Sequence, residues 1–349
     1  MKTIGYAAQS AGDTLAPWEF ERRDLRPNDV AMEVLYCGIC FTDIHQVQDD
    51  WGWGIFPMVP GHEIVGRVTD VGSDVTQFKK GDTVAVGCMV DSCQECDQCH
   101  HGEEQFCREG MTLTYAGRDR INGETTQGGY SKHLVCREEF VLRIPEGLDL
   151  SRAAPLLCAG ITTYSPLRHW NIGPGSQVGV IGLGGLGHMA VKLAVGLGAD
   201  VTVLSRTEDK EADALDLGAD GLLVSSDDAA MESAQSSFDL IIDTIPVKHD
   251  LTPYLRLLDI NGGLVLVGQI GPIEELDSEP VVMGRRCIVG SAIGGIAETQ
   301  ELIDFCAKKN ILPECEIIKI DQVNDALERL KRSDVRYRFV IDMASLAAP

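Results

Sequence analysis

Four cysteines crowd the stretch DSCQECDQCHHGEEQFC, residues 91–107, with the spacing Cys93-x2-Cys96-x2-Cys99-x7-Cys107. Thiolates separated by two residues can converge on one ion, and a more distant fourth closes a tetrahedron. Such a set suits Zn²⁺ or an iron–sulfur cluster. The ferredoxin-type run carries proline after its last cysteine, whereas Arg108 follows Cys107, so zinc is expected. A cage of four thiolates is coordinatively closed. It staples a loop, about residues 88–110, and does no chemistry of its own. His100 and His101 read as solvated neighbours, because a fourth cysteine is at hand.

A second set carries different chemistry. In VIGLGGLGHMAVKLAVGLGADVTVLSR, residues 180–206, an apolar β-rich run ends at Ile181. Gly182, Gly184 and Gly187 then form G-x-G-x-x-G, with Gly185 and Leu186 inside it, and a helix and a second strand follow. Glycines at these positions allow a tight turn and let a pyrophosphate approach amides at the helix start. Dinucleotide binding is expected. An NAD site usually ends its second strand with a carboxylate that accepts from the ribose 2′-hydroxyl. Here Ser205-Arg206-Thr207 stands in that place. Arg206 can pair with a 2′-phosphate, Ser205 can donate to it, and Lys210 adds a positive charge, so NADP(H) is expected. Glu208 and Asp209 work against that preference.

The elements that must position these residues differ between two parts of the chain. Apolar runs at 220–226, 238–245, 262–269 and 286–294 read as buried parallel strands separated by helices, which makes a doubly wound unit. The N-terminal part instead alternates short β-rich runs with turns, as in GDTVAVG and GHEIVGRVTDVG. A length of 349 residues fits about two domains. With 53 acidic against 30 basic residues and a net charge of −23, nucleic acid is excluded as a partner. No apolar run is long enough to span a membrane, and MKTIGYAAQSAGDTL lacks the pattern of a secretion leader. A cytoplasmic location follows, and reduced thiols rather than a disulfide framework. Cys37, Cys88, Cys136, Cys287, Cys306 and Cys315 read as small buried hydrophobes.

Three further stretches are CGICFTDIH (37–45), VPGHEIVG (59–66) and PLLCAGITTY (155–164). Together with the cysteine lobe, the glycine turn and AETQELIDFCAKKNI (297–311), they resemble the zinc-dependent medium-chain alcohol dehydrogenases over essentially the whole chain. The similarity is strongest to the cinnamyl-alcohol-dehydrogenase-like branch of NADPH-dependent aldehyde reductases. That resemblance implies an α/β fold. A GroES-like, mostly-β catalytic domain would span 1–159 and 294–349, and a Rossmann domain with a doubly wound parallel sheet would span 160–293. It also implies two zinc ions per chain. Cys40, His62 and Cys158 would ligate the catalytic one, with Glu63 close enough to ligate transiently and Asp43 holding the His62 imidazole.

Thr42 and His45 match the family's proton relay, Thr42 at the substrate end and His45 at the solvent end. Trp51 and Trp53 would line a substrate pocket. Ala292 stands where relatives often carry a bulky aromatic, which implies a wide pocket and a broad range of aromatic and medium aliphatic aldehydes or primary alcohols. A homodimer or homotetramer is implied as well. Two alternatives remain at this point: an NAD-dependent polyol or secondary-alcohol dehydrogenase, and a catalytically silent NADPH- and zinc-binding protein.

Overall fold

The computed structural model describes residues 1–346. The chain divides into two compact units, one built from 1–158 with the segment from 294 onward, the other from 159–293.

In the first unit the hub is the strand Asp29–Ile39, whose apolar side chains are buried along most of its length. Its early half pairs antiparallel with His133–Arg137 and its late half with Arg338–Asp342, while Ile64–Val71 pairs along the other edge. Thr83–Val86, Leu142–Arg143 and Cys315–Lys319 extend this sheet. Val65, Ala85, Leu157, Ile303 and Val340 form a buried cluster on it. The helix Ile296–Lys309 contributes by burying Thr299, Leu302, Ile303 and Cys306, the i, i+3, i+4, i+7 stripe of an amphipathic helix. Each large aliphatic side chain so buried stabilises the fold by roughly 1.5–3 kcal/mol.

The second unit is a parallel six-stranded sheet made, in chain order, of Gln177–Ile181, Asp200–Ser205, Gly221–Val224, Phe238–Asp243, Leu258–Leu266 and Cys287–Gly290. Across the sheet they run third, second, first, fourth, fifth, sixth, which is the doubly wound order of dinucleotide-binding folds. Val178, Val180, Val201, Val203, Leu240, Ile241 and Ile242 are fully buried, because helices cover both faces of such a sheet.

Among the described residues, which include all twelve cysteines, there is no disulfide. No helix among them is long and apolar enough to cross a membrane. Cys37, Cys136 and Cys306 are buried as expected, but Cys88, Cys287 and Cys315 are only half-buried. The reason is topological. Cys287 and Cys315 lie on terminal strands of their sheets, and Cys88 sits in a short connection between two strands.

Candidate active site and metal centres

The four sulfurs of Cys93, Cys96, Cys99 and Cys107 all lie within 4.8 Å of one another. Local backbone does the gathering. The amide of Cys96 donates to Cys93 Sγ at 3.3 Å, that of Cys93 to Cys107 Sγ at 3.4 Å, and that of Arg108 to Cys96 Sγ at 3.4 Å. These N–H···S bonds favour thiolates. The Arg108 amide leads in bringing the Cys96 thiol down to about 6, while burial pushes Cys99 up to about 12. His100 and His101 are exposed and stand outside the set. Four converging soft donors with no oxygen or nitrogen among them fit a closed zinc cage.

The second cluster is assembled from distant segments. The register pairs Cys37 with Ile64, so Cys40 beyond one strand and His62 before the other project past the same end of the sheet. Cys158 directly follows the one-turn helix Ala154–Leu157, whose Leu157 packs in the core below. Ligand atoms of Cys40, His62, Glu63 and Cys158 fall within 4.8 Å of one another, and all four residues are buried. Gly38 is required here, since a Cβ would lie 2.0 Å from Glu63 Oε2.

The electrostatics of this cluster are those of a site built for a cation. Cys40 Sγ and Cys158 Sγ are 3.8 Å apart and share one proton: their hydrogen bond holds Cys40 well below the ordinary thiol range and Cys158 well above it. Glu63 forms an ion pair with Arg338, yet burial outweighs that charge and raises its carboxyl to about 7. Its second oxygen, Oε2, is buried without a hydrogen-bond partner among the described residues. Two sulfurs, one imidazole and an unsatisfied carboxylate oxygen fit an open zinc site. Asp43, fully buried, lies 3.3 Å from His62 Nδ1, which turns the other ring nitrogen toward the sulfurs.

Thr42 and His45 occur three positions apart on the helix Phe41–Gln48, on one face, both half-buried. His45 Nδ1 is 2.7 Å from Asp50 Oδ2. The rings of Phe41, His45, Trp51 and Trp53 follow one another at 5.1, 5.1 and 5.4 Å, the two indoles stacked at an interplanar angle of 11°. Trp51 is half-buried and Trp53 exposed.

In the second unit the glycine turn follows Ile181 directly. Gly182 has φ +86°, and a Cβ on Gly187 would stand 2.1 Å from the Gly182 carbonyl oxygen, so helix and turn touch only because both are glycine. A Cβ on Gly184 would meet nothing within 4 Å, so the turn is open there, while Gly185 and Leu186 are half-buried just before the helix that starts at Gly187. Ser205 ends the second strand and Arg206 is exposed, its carbonyl held by Ser226 Oγ at 2.7 Å. Lys210 sits 3.8 Å from Asp213, so part of its charge is already paired. Ala292 belongs to this unit and is exposed.

Comparison with known proteins agrees with both halves. Residues 26–146 match the alcohol dehydrogenase GroES-like domain, and residues 185–308 match the zinc-binding dehydrogenase family. An NADP-dependent alcohol dehydrogenase C of Mycolicibacterium smegmatis is 54% identical over 99% of both chains. The chain belongs to the zinc-dependent medium-chain alcohol dehydrogenases. An 8-hydroxygeraniol dehydrogenase of Catharanthus roseus is 52% identical, covering 99% of this chain and 96% of that one. Among solved structures, a cinnamyl alcohol dehydrogenase of Sorghum bicolor has a TM-score of 0.95 at 46% identity over 99% and 98% of the two chains. A Helicobacter pylori relative complexed with NADP(H) has a TM-score of 0.92 at 42% identity over 99% of both.

Three residues of this dehydrogenase that reach its metal cluster carry no sequence signal of their own. Arg338 comes from a strand near the chain's end, and Tyr115 and Tyr130 reach Asp43 from beyond the cysteine lobe. Each sits in an ordinary apolar or glycine-containing run. Only the tertiary fold brings them together.

Proposed function

We propose that this dehydrogenase is an NADPH-dependent reductase of aromatic and medium aliphatic aldehydes, working reversibly on the corresponding primary alcohols. The observation that carries it is the pairing of a buried Cys40–His62–Cys158 donor set with a nucleotide strand that ends in Ser205-Arg206 and no carboxylate. The names of the Mycolicibacterium and Helicobacter relatives add support for NADP(H).

In this proposal Cys40, His62 and Cys158 hold zinc, and Cys93, Cys96, Cys99 and Cys107 hold a second, structural ion. When bound, the catalytic zinc supplies Lewis acidity toward the substrate oxygen, and the nicotinamide supplies hydride. The residues of the chain do the rest. Asp43 fixes the tautomer of His62. Thr42 Oγ1 supplies a proton, and His45, whose Nδ1 lies 2.7 Å from Asp50 Oδ2, has Nε2 left to exchange with solvent. Trp51 and Trp53 offer a flat apolar surface suited to aromatic substrates, and Ala292 leaves room for bulk. Arg206 and Ser205 select the 2′-phosphate, Lys210 contributing less because of Asp213. A homodimer or homotetramer in the cytoplasm completes the proposal. It is supported by Val282 and Met283, which are 73% and 77% exposed on the helix Glu279–Gly284 just before the strand Cys287–Gly290, and by the free thiols.

The test is initial-rate reduction of benzaldehyde and cinnamaldehyde with NADPH and with NADH, in wild type and Arg206→Ala. Loss of a charge-assisted pair should weaken NADPH use by about 10- to 100-fold and leave NADH nearly unchanged. Equal rates with both cofactors in wild type, unaltered by the substitution, would defeat the cofactor assignment.

A further inference from the structure

We infer that Tyr115 and Tyr130 are positioning residues for the catalytic metal, forming a phenol clamp that locks Asp43 and, through it, His62. The inference rests on the Cys40–His62–Cys158 set being a zinc site.

Asp43 is fully buried, and five donors surround its carboxylate. Oδ1 accepts from Tyr115 Oη at 2.7 Å and from the Gly61 amide at 3.2 Å, and it lies 3.3 Å from His62 Nδ1. Oδ2 accepts from Tyr130 Oη and from the Cys40 amide, both at 2.9 Å. A carboxylate has about four lone-pair sites, so this one is saturated and cannot rotate without breaking bonds. The two backbone donors come from the residues flanking the ligands, Cys40 itself and Gly61 beside His62. They would follow any shift of those loops. Tyr115 does not, because a different segment fixes it, and Tyr130 ties its own segment to that of Gly61 while adding a side-chain donor to the carboxylate.

Tyr130 is held by its neighbours on both sides. Its amide donates to Pro60 O at 3.0 Å, its carbonyl accepts from Tyr6 at 2.8 Å, and the preceding Gly129 donates to Gly61 O at 2.9 Å. Tyr115 is anchored through Thr114, whose amide donates to Cys88 O at 3.1 Å and whose hydroxyl donates to Gly87 O at 2.5 Å. Its ring also lies over the His62 imidazole, with centroids 5.8 Å apart at 29°. Both phenols are buried, and each hydroxyl donates its proton to the Asp43 carboxylate. Without the clamp, Asp43 would keep its backbone donors but could swing away from Nδ1, and His62 would lose its fixed tautomer and angle.

Tyr115→Phe and Tyr130→Phe remove one oxygen each and keep the ring that fills the core. Catalytic-site zinc affinity is read by competition with a chromogenic chelator on the full-length protein, the four-cysteine ion serving as internal control. The d–d spectrum of protein with Co²⁺ at the catalytic site gives a second readout. Each single variant should bind about 10-fold more weakly and the double variant more weakly still, with a shifted Co²⁺ spectrum and an unchanged structural zinc. Affinity and spectrum equal to wild type in the double variant, while Asp43→Asn loses both, would overturn the clamp. So would a loss of affinity accompanied by loss of the structural zinc, since that reports general unfolding. Wild-type protein that holds only one zinc would remove the metal-site reading and the clamp together.

Discussion

The two sulfur clusters of the first unit use the same residue type and are built in opposite ways. In the lobe the four ligands follow one another within a single loop, and the amides that gather them belong to the same loop. In the catalytic cluster Cys40 and Cys158 are 118 positions apart, and a strand register, a one-turn helix and a distant arginine all take part. The lobe is half-buried, saturated with sulfur and closed. The catalytic cluster is buried, chemically mixed and left with an unsatisfied oxygen on Glu63. A local cage needs only its loop, whereas an open site must be held rigid by structure that its metal does not itself supply.

The comparison is broken most directly by removing a ligand from each side. His62→Ala should empty the catalytic site and lower turnover by roughly 10³-fold or more, the several kcal/mol that a Lewis acid contributes to the transition state. Zinc content should fall from about two ions per chain to about one, with the thermal midpoint nearly unchanged. Metal analysis showing two ions retained would end the assignment. Cys107→Ala should do the converse. The lobe opens, the thermal midpoint drops by about 10 °C, and activity at low temperature falls far less than in His62→Ala.

A smaller effect sharpens the electrostatic half of the contrast. Glu63 has its folded carboxyl raised to about 7 from an ordinary 4.5, chiefly by burial and against the pull of Arg338. Between those values the folded protein binds the proton that the unfolded chain has released. Its contribution to stability is therefore complete below about 4.5 and is lost as pH rises toward 7. In metal-free protein, Glu63→Gln should flatten this slope, a difference of about 3 °C in thermal midpoint across the window. A wild-type midpoint that instead rises over the same range would show that the ion pair with Arg338 dominates.

Much of the site was legible in the chain because its signals are local. The x2 cysteine spacing, the glycine turn that opens a helix, and the Ser205-Arg206 ending of a strand each act within a few residues. That the second unit is a doubly wound parallel sheet likewise follows from apolar runs alternating with helices, although its strand order does not. The exposure of Cys88, Cys287 and Cys315 was not legible, since a cysteine carries no mark of whether its strand is central or terminal.

The sequence by itself determined which groups were available: the cysteine and histidine donors of the two proposed zinc sites taken with Glu63, the amides of a glycine turn, and a guanidinium at the end of a strand. Tertiary structure alone decided which of them meet. The pairing of Cys37 with Ile64 turns two separate motifs into one end of a sheet, and the return of Arg338 beside Glu63 sets the charge there. The reach of two tyrosines to one buried carboxylate has the same origin. These contacts span up to 275 positions of chain, and no spacing rule encodes them because they depend on strand register and core packing rather than on neighbours in sequence.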